Sequence, residues 1–325
     1  MCTCITFQNK NFYFGRNLDL EYSFGERVVI TPRKYVFDLR TQEKMVEHYA
    51  MIGMATVIDN YPLYAEAANE KGLSMAGLYF PDNAVYHDVK EDKVNITPFE
   101  LIPWLLGKCA TVDEAEVLLK DVNIVRIPFN NNIPLAPLHW MIADKKRCLV
   151  LESMEDGLNI YENPIGVLTN NPPFYYHKTN LSNYMNITPN SPENRFSKSL
   201  NIQAYGQGMG GMGLPGDVSP SSRFIRAAFV QQNSVCSEDE ISNVTQFFHM
   251  LDAVSMVRGV TITPEGKYDI TTYSCCISVD QGIYYYKTYE NNQISAVKLM
   301  NEDLDRDDLI VYDFRNSQNI YYENN

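Results

Sequence analysis

The chain has 325 residues, 45% of them hydrophobic, and a formal net charge of −13. That length fits one large unit or two average domains, and that apolar content excludes a disordered chain. The acidic balance argues against nucleic acid or an anionic membrane surface as partner, since both reward Lys and Arg, but leaves room for an anionic small molecule met by local arginines.

In chain order, the first 80 residues read as strands: CITFQ, NFYFGRN, RVVITP, YAMIGMATVI and LSMAGLYF, separated by Gly, Asn and Pro. Helical spacing starts at PFELIPWLLGKCA and resumes at TVDEAEVLLKDV, where Thr111 and Glu114 form a capping box. Strands return in LHWMIAD, CLVLESM, GLNIYE and IGVLTNNP. A Gly-rich segment, YGQGMGGMGLPGD, leads to helices at SPSSRFIRAAFVQQ and SEDEISNVTQFFHMLDAV, the second opened by Ser237 and Glu240 as a capping box. The tail is strand again in KYDITTYSCCISV, GIYYYKTY and QISAVKL. Strand blocks at both ends with helices grouped between them predict an α+β sandwich of two mainly antiparallel sheets with helices outside. With no apolar run of membrane length and no leader-like opening, a cytoplasmic protein with no membrane association is expected.

Candidate chemistry narrows quickly. Gly206, Gly208 and Gly211 fit G-x-G-x-x-G, as do Gly208, Gly210 and Gly213. A dinucleotide site needs that motif between a strand and a helix that starts at once, and Leu214-Pro215-Gly216 intervenes. The stretch Gly72-Leu73-Ser74-Met75-Ala76 fails the serine-hydrolase pattern at its last position. His48, His87, His139, His177 and His249 show neither metal nor triad spacing; His139 and His249 lie in apolar runs and read as core. Neither metal nor cofactor is expected. The seven cysteines are odd in number and scattered without a CxxC pair, against both a disulfide framework and a zinc site.

That leaves cysteine nucleophily, and one position stands out. Removing Met1 would give Cys2 both a thiol and a free α-amine, nucleophile and base on one residue. The amine titrates near 7.7–8 and a thiol near 8.5, matched for proton transfer at neutral pH. Arg16 would favour the thiolate, and Asp19 would hold the amine. A thiol activated by a separate histidine stays open at this level, as does a noncatalytic binding protein.

The segments CTCITF, YFGRNLDLEYSFGE, NEKGLSMAGL, PLHWMIAD, GVLTNNP, GLPGDVSPSSRFIR and QFFHML, in this order, resemble the choloylglycine hydrolase family. This family comprises bile salt hydrolases and penicillin V acylases, within the N-terminal nucleophile hydrolases. The resemblance implies a four-layer αββα sandwich, one domain over residues 1–325 with Met1 removed, and a homotetramer. It makes Cys2 the nucleophile with its own amine as base, flanked by Arg16 and Asp19. Asn170 becomes an oxyanion donor with the backbone N–H of Tyr79, and Arg223 supports the charge network. Aligned positions suggest that Leu18, Phe24, Ile58, Ala65, Phe129 and Ile133 line an apolar acyl pocket, with Gly206-Gln207-Gly208 toward the amino-acid end. The implied reaction is cleavage of glycine- or taurine-conjugated bile salts through a Cys2 thioester. One departure, Tyr79 in AGLYF where bile salt hydrolases carry Asn, favours penicillin V, whereas GRNLDLEYSFGE is worded like the bile-salt branch.

Overall fold

The computed structural model describes residues 1–324. The strands in chain order are β1 (Cys2–Gln8), β2 (Phe12–Leu20), β3 (Arg27–Thr31), β4 (Met51–Ile58), β5 (Tyr61–Asn69), β6 (Ser74–Tyr79), β7 (Val94–Ile96), β8 (Val122–Ile124), β9 (Leu138–Ala143), β10 (Cys148–Met154), β11 (Gly157–Glu162), β12 (Val167–Leu168), β13 (Ile270–Ser278), β14 (Ile283–Thr288), β15 (Asn291–Lys298) and β16 (Ile310–Asp313). The α-helices are α1 (Leu101–Lys108), α2 (Val112–Leu119), α3 (Phe174–Asn180), α4 (Pro220–Asn233) and α5 (Glu240–Asp252). A six-stranded sheet runs β12-β1-β2-β13-β14-β15 and an eight-stranded sheet runs β11-β10-β9-β6-β5-β4-β3-β16, both antiparallel throughout. β7 and β8 form a small parallel pair. Helices α4 and α5 pack on the six-stranded sheet and α1 on the eight-stranded one, giving the expected αββα layers.

Period-two alternation builds the layers. In the eight-stranded sheet, Val28, Ile30, Ile52, Ala76, Leu78, Met141 and Val150 face the six-stranded sheet. Their neighbours Val29, Met51, Met75, Trp140, Ile142 and Leu149 face α1 and α2. β2 lies centrally in the six-stranded sheet, its side chains buried on both faces from Phe12 to Asp19. Gly15 lets it approach β13: a Cβ there would stand 2.0 Å from the Cys275 carbonyl oxygen.

Several details differ from the sequence-based expectations. The strand β5 was not anticipated, because Pro62 and the Ala-rich run score poorly as strand. Asp59 and Asn60, both with positive φ, make the two-residue hairpin turn that joins it to β4. β16 also went unforeseen. Helix α5 is capped by Asp239, which accepts from the Ser242 N–H, and not by Ser237. Asp239 is nearer the first helical residue, and its carboxylate meets the helix dipole better than a hydroxyl. The Thr111 cap on α2 is as expected. His139 is a core residue, but His249 is exposed on α5 while Phe248 and Met250 turn inward, since an apolar run on a helix does not put every member on one face. Between residues 201 and 219 the chain holds one short 3-10 turn, and α4 begins only at Pro220.

Candidate active site

Cys2 opens β1 and pairs across the ladder with Leu18, while Cys4 pairs with Arg16. Alternation places Cys2, Cys4, Arg16 and Leu18 on the face toward the eight-stranded sheet, and Thr3, Asn17 and Asp19 on the face toward α4 and α5. The expected constellation therefore divides. Arg16 serves the sulfur side of Cys2; Asp19 and Arg223 serve its backbone side.

On the sulfur side, the Arg16 Nη1 donates to the carbonyl oxygens of Gly77 in β6 and Ala65 in β5, the latter at 3.3 Å. Ala65 is the extra residue of a bulge, with Met54 opposite Glu66 and Ala55 opposite Tyr64, which turns its carbonyl toward the guanidinium. Burial works against the charge on Arg16, but Cys2, Tyr273 and Glu66 around it hold its pKa above the ordinary value.

On the backbone side, the Cys2 N–H donates to Asn170 Oδ1 at 2.8 Å. Arg223 Nη2 donates to the same oxygen at 2.8 Å, and Arg223 Nη1 donates to the Cys2 carbonyl and to the Thr3 hydroxyl. Asn170 Nδ2 reaches across to the Tyr79 carbonyl at 2.7 Å. Asp19 Oδ1 accepts from the Thr271 hydroxyl at 2.7 Å, made possible by a second bulge between Thr271 and Tyr273. Asp19 Oδ2 lies 3.9 Å from Arg223 Nη1 and is buried without a hydrogen-bond partner. Burial raises the Asp19 pKa, with Arg223, the charged N-terminus and Thr271 pulling it back. Burial also lowers that of Arg223, opposed by Asp19 and Cys2, and a guanidinium keeps its proton in proteins. Met1 continues the ladder beyond Cys2: its carbonyl accepts from the Asp19 N–H at 2.8 Å, and its amine donates to the Asp19 carbonyl.

Two buried histidines that sequence reasoning did not assign to the site fasten the segment carrying Asn170. His177 Nε2 bonds the Asn170 carbonyl at 2.9 Å, its ring stacked on Phe224 of α4. His139 Nε2 bonds the Thr169 carbonyl at 2.9 Å, and its Nδ1 lies 3.1 Å from Glu152. Burial pushes the His177 pKa down to about 4. His48 and His87 also bond backbone carbonyls, and none of the hydrogen bonds of these four rings is to Cys2. Burial raises the thiol pKa of Cys4, Cys148, Cys275 and Cys276, and pushes that of Cys109 up to about 11. Those five sulfurs stay protonated and poor as nucleophiles at neutral pH. The most consequential residue missed is Glu66, buried beside Arg16 on the unforeseen strand β5; a lone glutamate in the run YAEAAN was its only signal.

The six apolar candidates separate into two groups. Leu18 belongs to the cluster that holds Cys2, with Phe24 and Ala65 half-buried against it. Phe129 lies in the cluster behind the eight-stranded sheet, edge-on to Phe99 and beneath the Arg40 guanidinium, with Ile58 and Ile133 half-buried around that cluster. Tyr79 is 45% exposed, so its backbone, not its ring, joins the buried network.

Residues 2–312 match the model of the linear amide C–N hydrolases, choloylglycine hydrolase family. The chain is 49% identical, over the whole of both sequences, to a bile salt hydrolase/transferase from Lactiplantibacillus plantarum, and 41% identical over the whole of both to one from Clostridium perfringens. A crystal structure of a mutant conjugated bile acid hydrolase from Clostridium perfringens superposes with a TM-score of 0.92 at 40% identity, covering 99% of this chain and 100% of that one. Penicillin V acylase from Agrobacterium tumefaciens shares the fold at a TM-score of 0.76 and 19% identity, over 96% of this chain and 91% of its own. In its fold and along its full length, this chain belongs to the choloylglycine hydrolase family of linear amide C–N hydrolases.

Proposed function

We propose that this protein cleaves the amide joining a steroid acyl group to glycine or taurine in conjugated bile salts, with Cys2 as nucleophile after loss of Met1. The observation that carries this reading is the Asn170 amide, tied at once to the Cys2 nitrogen, to Arg223 and to the Tyr79 backbone. Full-length relatives named for bile salts support the substrate class.

In this mechanism the Cys2 thiolate, favoured by Arg16, attacks the amide carbonyl. The tetrahedral oxyanion takes hydrogen bonds from the free N–H of Asn170 Nδ2 and from the Tyr79 N–H, each such donor being worth about 3 kcal/mol. The Cys2 ammonium protonates the departing amino-acid nitrogen as the C–N bond breaks, leaving a thioester. Water, deprotonated by the same amine, then releases the acid. An amino acid in place of water gives acyl transfer. Asp19 Oδ2, buried and without a partner, suits the ammonium that removal of Met1 would create. Leu18, Phe24 and Ala65 beside Cys2 begin the acyl pocket; Ile58, Phe129 and Ile133 extend it, with Gly206-Gln207-Gly208 toward the amino-acid end.

A single domain, a homotetramer and a cytoplasmic location complete the proposal, with neither metal nor cofactor taking part. No helix among the described residues is long and apolar enough to cross a membrane. A panel of glycocholate, taurocholate and penicillin V tests the substrate reading. Faster turnover of the conjugates, abolished in Cys2→Ala, is expected. A preference for penicillin V would make Tyr79 the decisive residue and overturn the bile-salt reading while leaving the nucleophile in place.

A further inference from the structure

Glu66 is fully buried between the sheets. Its Oε2 accepts from the Tyr273 hydroxyl at 2.7 Å; its Oε1 accepts from the Tyr284 hydroxyl at 2.6 Å and from the Cys275 thiol at 3.5 Å. Three donors from β13 and β14 thus hold the carboxylate in place. Arg16 Nη1 approaches Oε2 only to 3.8 Å, its hydrogen bonds going instead to the Gly77 and Ala65 carbonyls. The two groups stand close but unbonded. Burial raises the Glu66 pKa, with Arg16 and the Tyr284, Tyr273 and Cys275 donors favouring the carboxylate against it, and Cys2 is the foremost group favouring the Arg16 cation.

This spacing has electrostatic consequences. A buried guanidinium with no counter-charge is strongly unfavourable, whereas one clamped bidentate to a carboxylate offers little field to a third group. A carboxylate fixed a short distance behind Arg16 avoids both extremes. We propose that Glu66 is a positioning residue for amide cleavage: held by Tyr273 and Tyr284, it takes a fixed share of the Arg16 charge and so sets how strongly Arg16 favours the Cys2 thiolate. The proposal rests on Cys2 being the nucleophile.

The ionisable groups facing Glu66 are Arg16 from β2, Tyr273 and Cys275 from β13 and Tyr284 from β14, with Cys2 and Cys4 of β1 beyond Arg16. Their arrangement makes two substitutions act in opposite directions. Glu66→Gln keeps the shape and an acceptor oxygen but removes the negative charge, so Arg16 acts undivided on the sulfur. Tyr273→Phe removes the hydroxyl bonded to Oε2, the oxygen nearer Arg16, and frees it to close onto the guanidinium and draw it from Cys2.

The test is the pH dependence of Cys2 alkylation by iodoacetamide, followed by mass spectrometry of the N-terminal peptide of the mature enzyme, with amide hydrolysis measured in parallel. The alkylation midpoint is expected to fall by roughly one pH unit in Glu66→Gln, a tenfold change in thiolate equilibrium, and to rise in Tyr273→Phe. A purely structural role would lower the yield or thermal midpoint of the variants without moving the two pH midpoints apart. Unmoved midpoints, or shifts of the same sign, would overturn the proposal. If Glu66→Gln does not fold, the rise in Tyr273→Phe alone decides. Failure of the underlying reading is separable: alkylated wild-type enzyme would then retain amide hydrolysis.

Discussion

Asn170 shows how much a single side chain depends on residues behind it. Its amide lies between the Cys2 nitrogen, Arg223 and Tyr79, while its own carbonyl is held by His177. Because that carbonyl can only accept, His177 carries its proton on Nε2, and a buried neutral ring results. Its pKa near 4 lies below the unfolded value near 6.5, so between those limits the unfolded chain binds more protons than the folded one. The contribution is present above the unfolded value and is lost as pH falls toward 4, on the order of 3 kcal/mol in all. His177→Gln keeps a donor for the Asn170 carbonyl but cannot titrate. The variant is expected to show a flatter fall in thermal midpoint between pH 6.5 and 4 than the wild type; identical slopes would show that His177 does not carry this pH dependence. Cys2, Arg16, Asp19, Asn170 and Arg223 could be singled out as candidates because each belongs to a short ordered motif, and the fold gathers them around one strand end. His177 and Glu66 were not, since their significance comes only from what lies across the fold. A histidine in FYYHKTN or a glutamate in YAEAAN has no local signature.

At the scale of elements, the site depends on how closely β2 lies between β1 and β13. Gly15 allows that approach next to Arg16, and the bulges at Ala65 and Thr272 aim a carbonyl at Arg16 and a hydroxyl at Asp19. Gly15→Ala would drive a methyl into the Cys275 backbone, which has no side-chain freedom with which to yield. The expected outcome is loss of amide hydrolysis together with a large drop in thermal midpoint. Gly216→Ala, where a Cβ would meet nothing within 4 Å, is expected to leave both unchanged. Wild-type activity in Gly15→Ala would contradict the close strand packing. Strand positions with strong β-formers, such as CITFQ and RVVIT, were readable in advance. β5 was not: its residues are fixed by pairing on both sides, and tertiary context overrides Ala and Pro preferences there.

Across the whole molecule, strand blocks at both ends of the chain combine into shared sheets. The N-terminal β1 and β2 meet the C-terminal β13 to β15, and β16 completes the edge of the other sheet. The layer order was legible because alternating apolar residues demand two covered faces per sheet, and because the helices cluster in the middle of the sequence. The pairing of first and last strands was not, since no local pattern records which distant strand will be a neighbour. That pairing sets Thr271 beside Asp19, and with Arg223 of α4 and Asn170 just after β12 they surround Cys2, where loss of Met1 would expose an α-amine. The most direct test is the intact mass of protein quenched in acid during turnover of glycocholate. A polypeptide that lacks Met1 and carries one steroid acyl group on Cys2 is expected; full-rate turnover by a chain that still begins with Met1 would contradict Cys2 catalysis through its own amine.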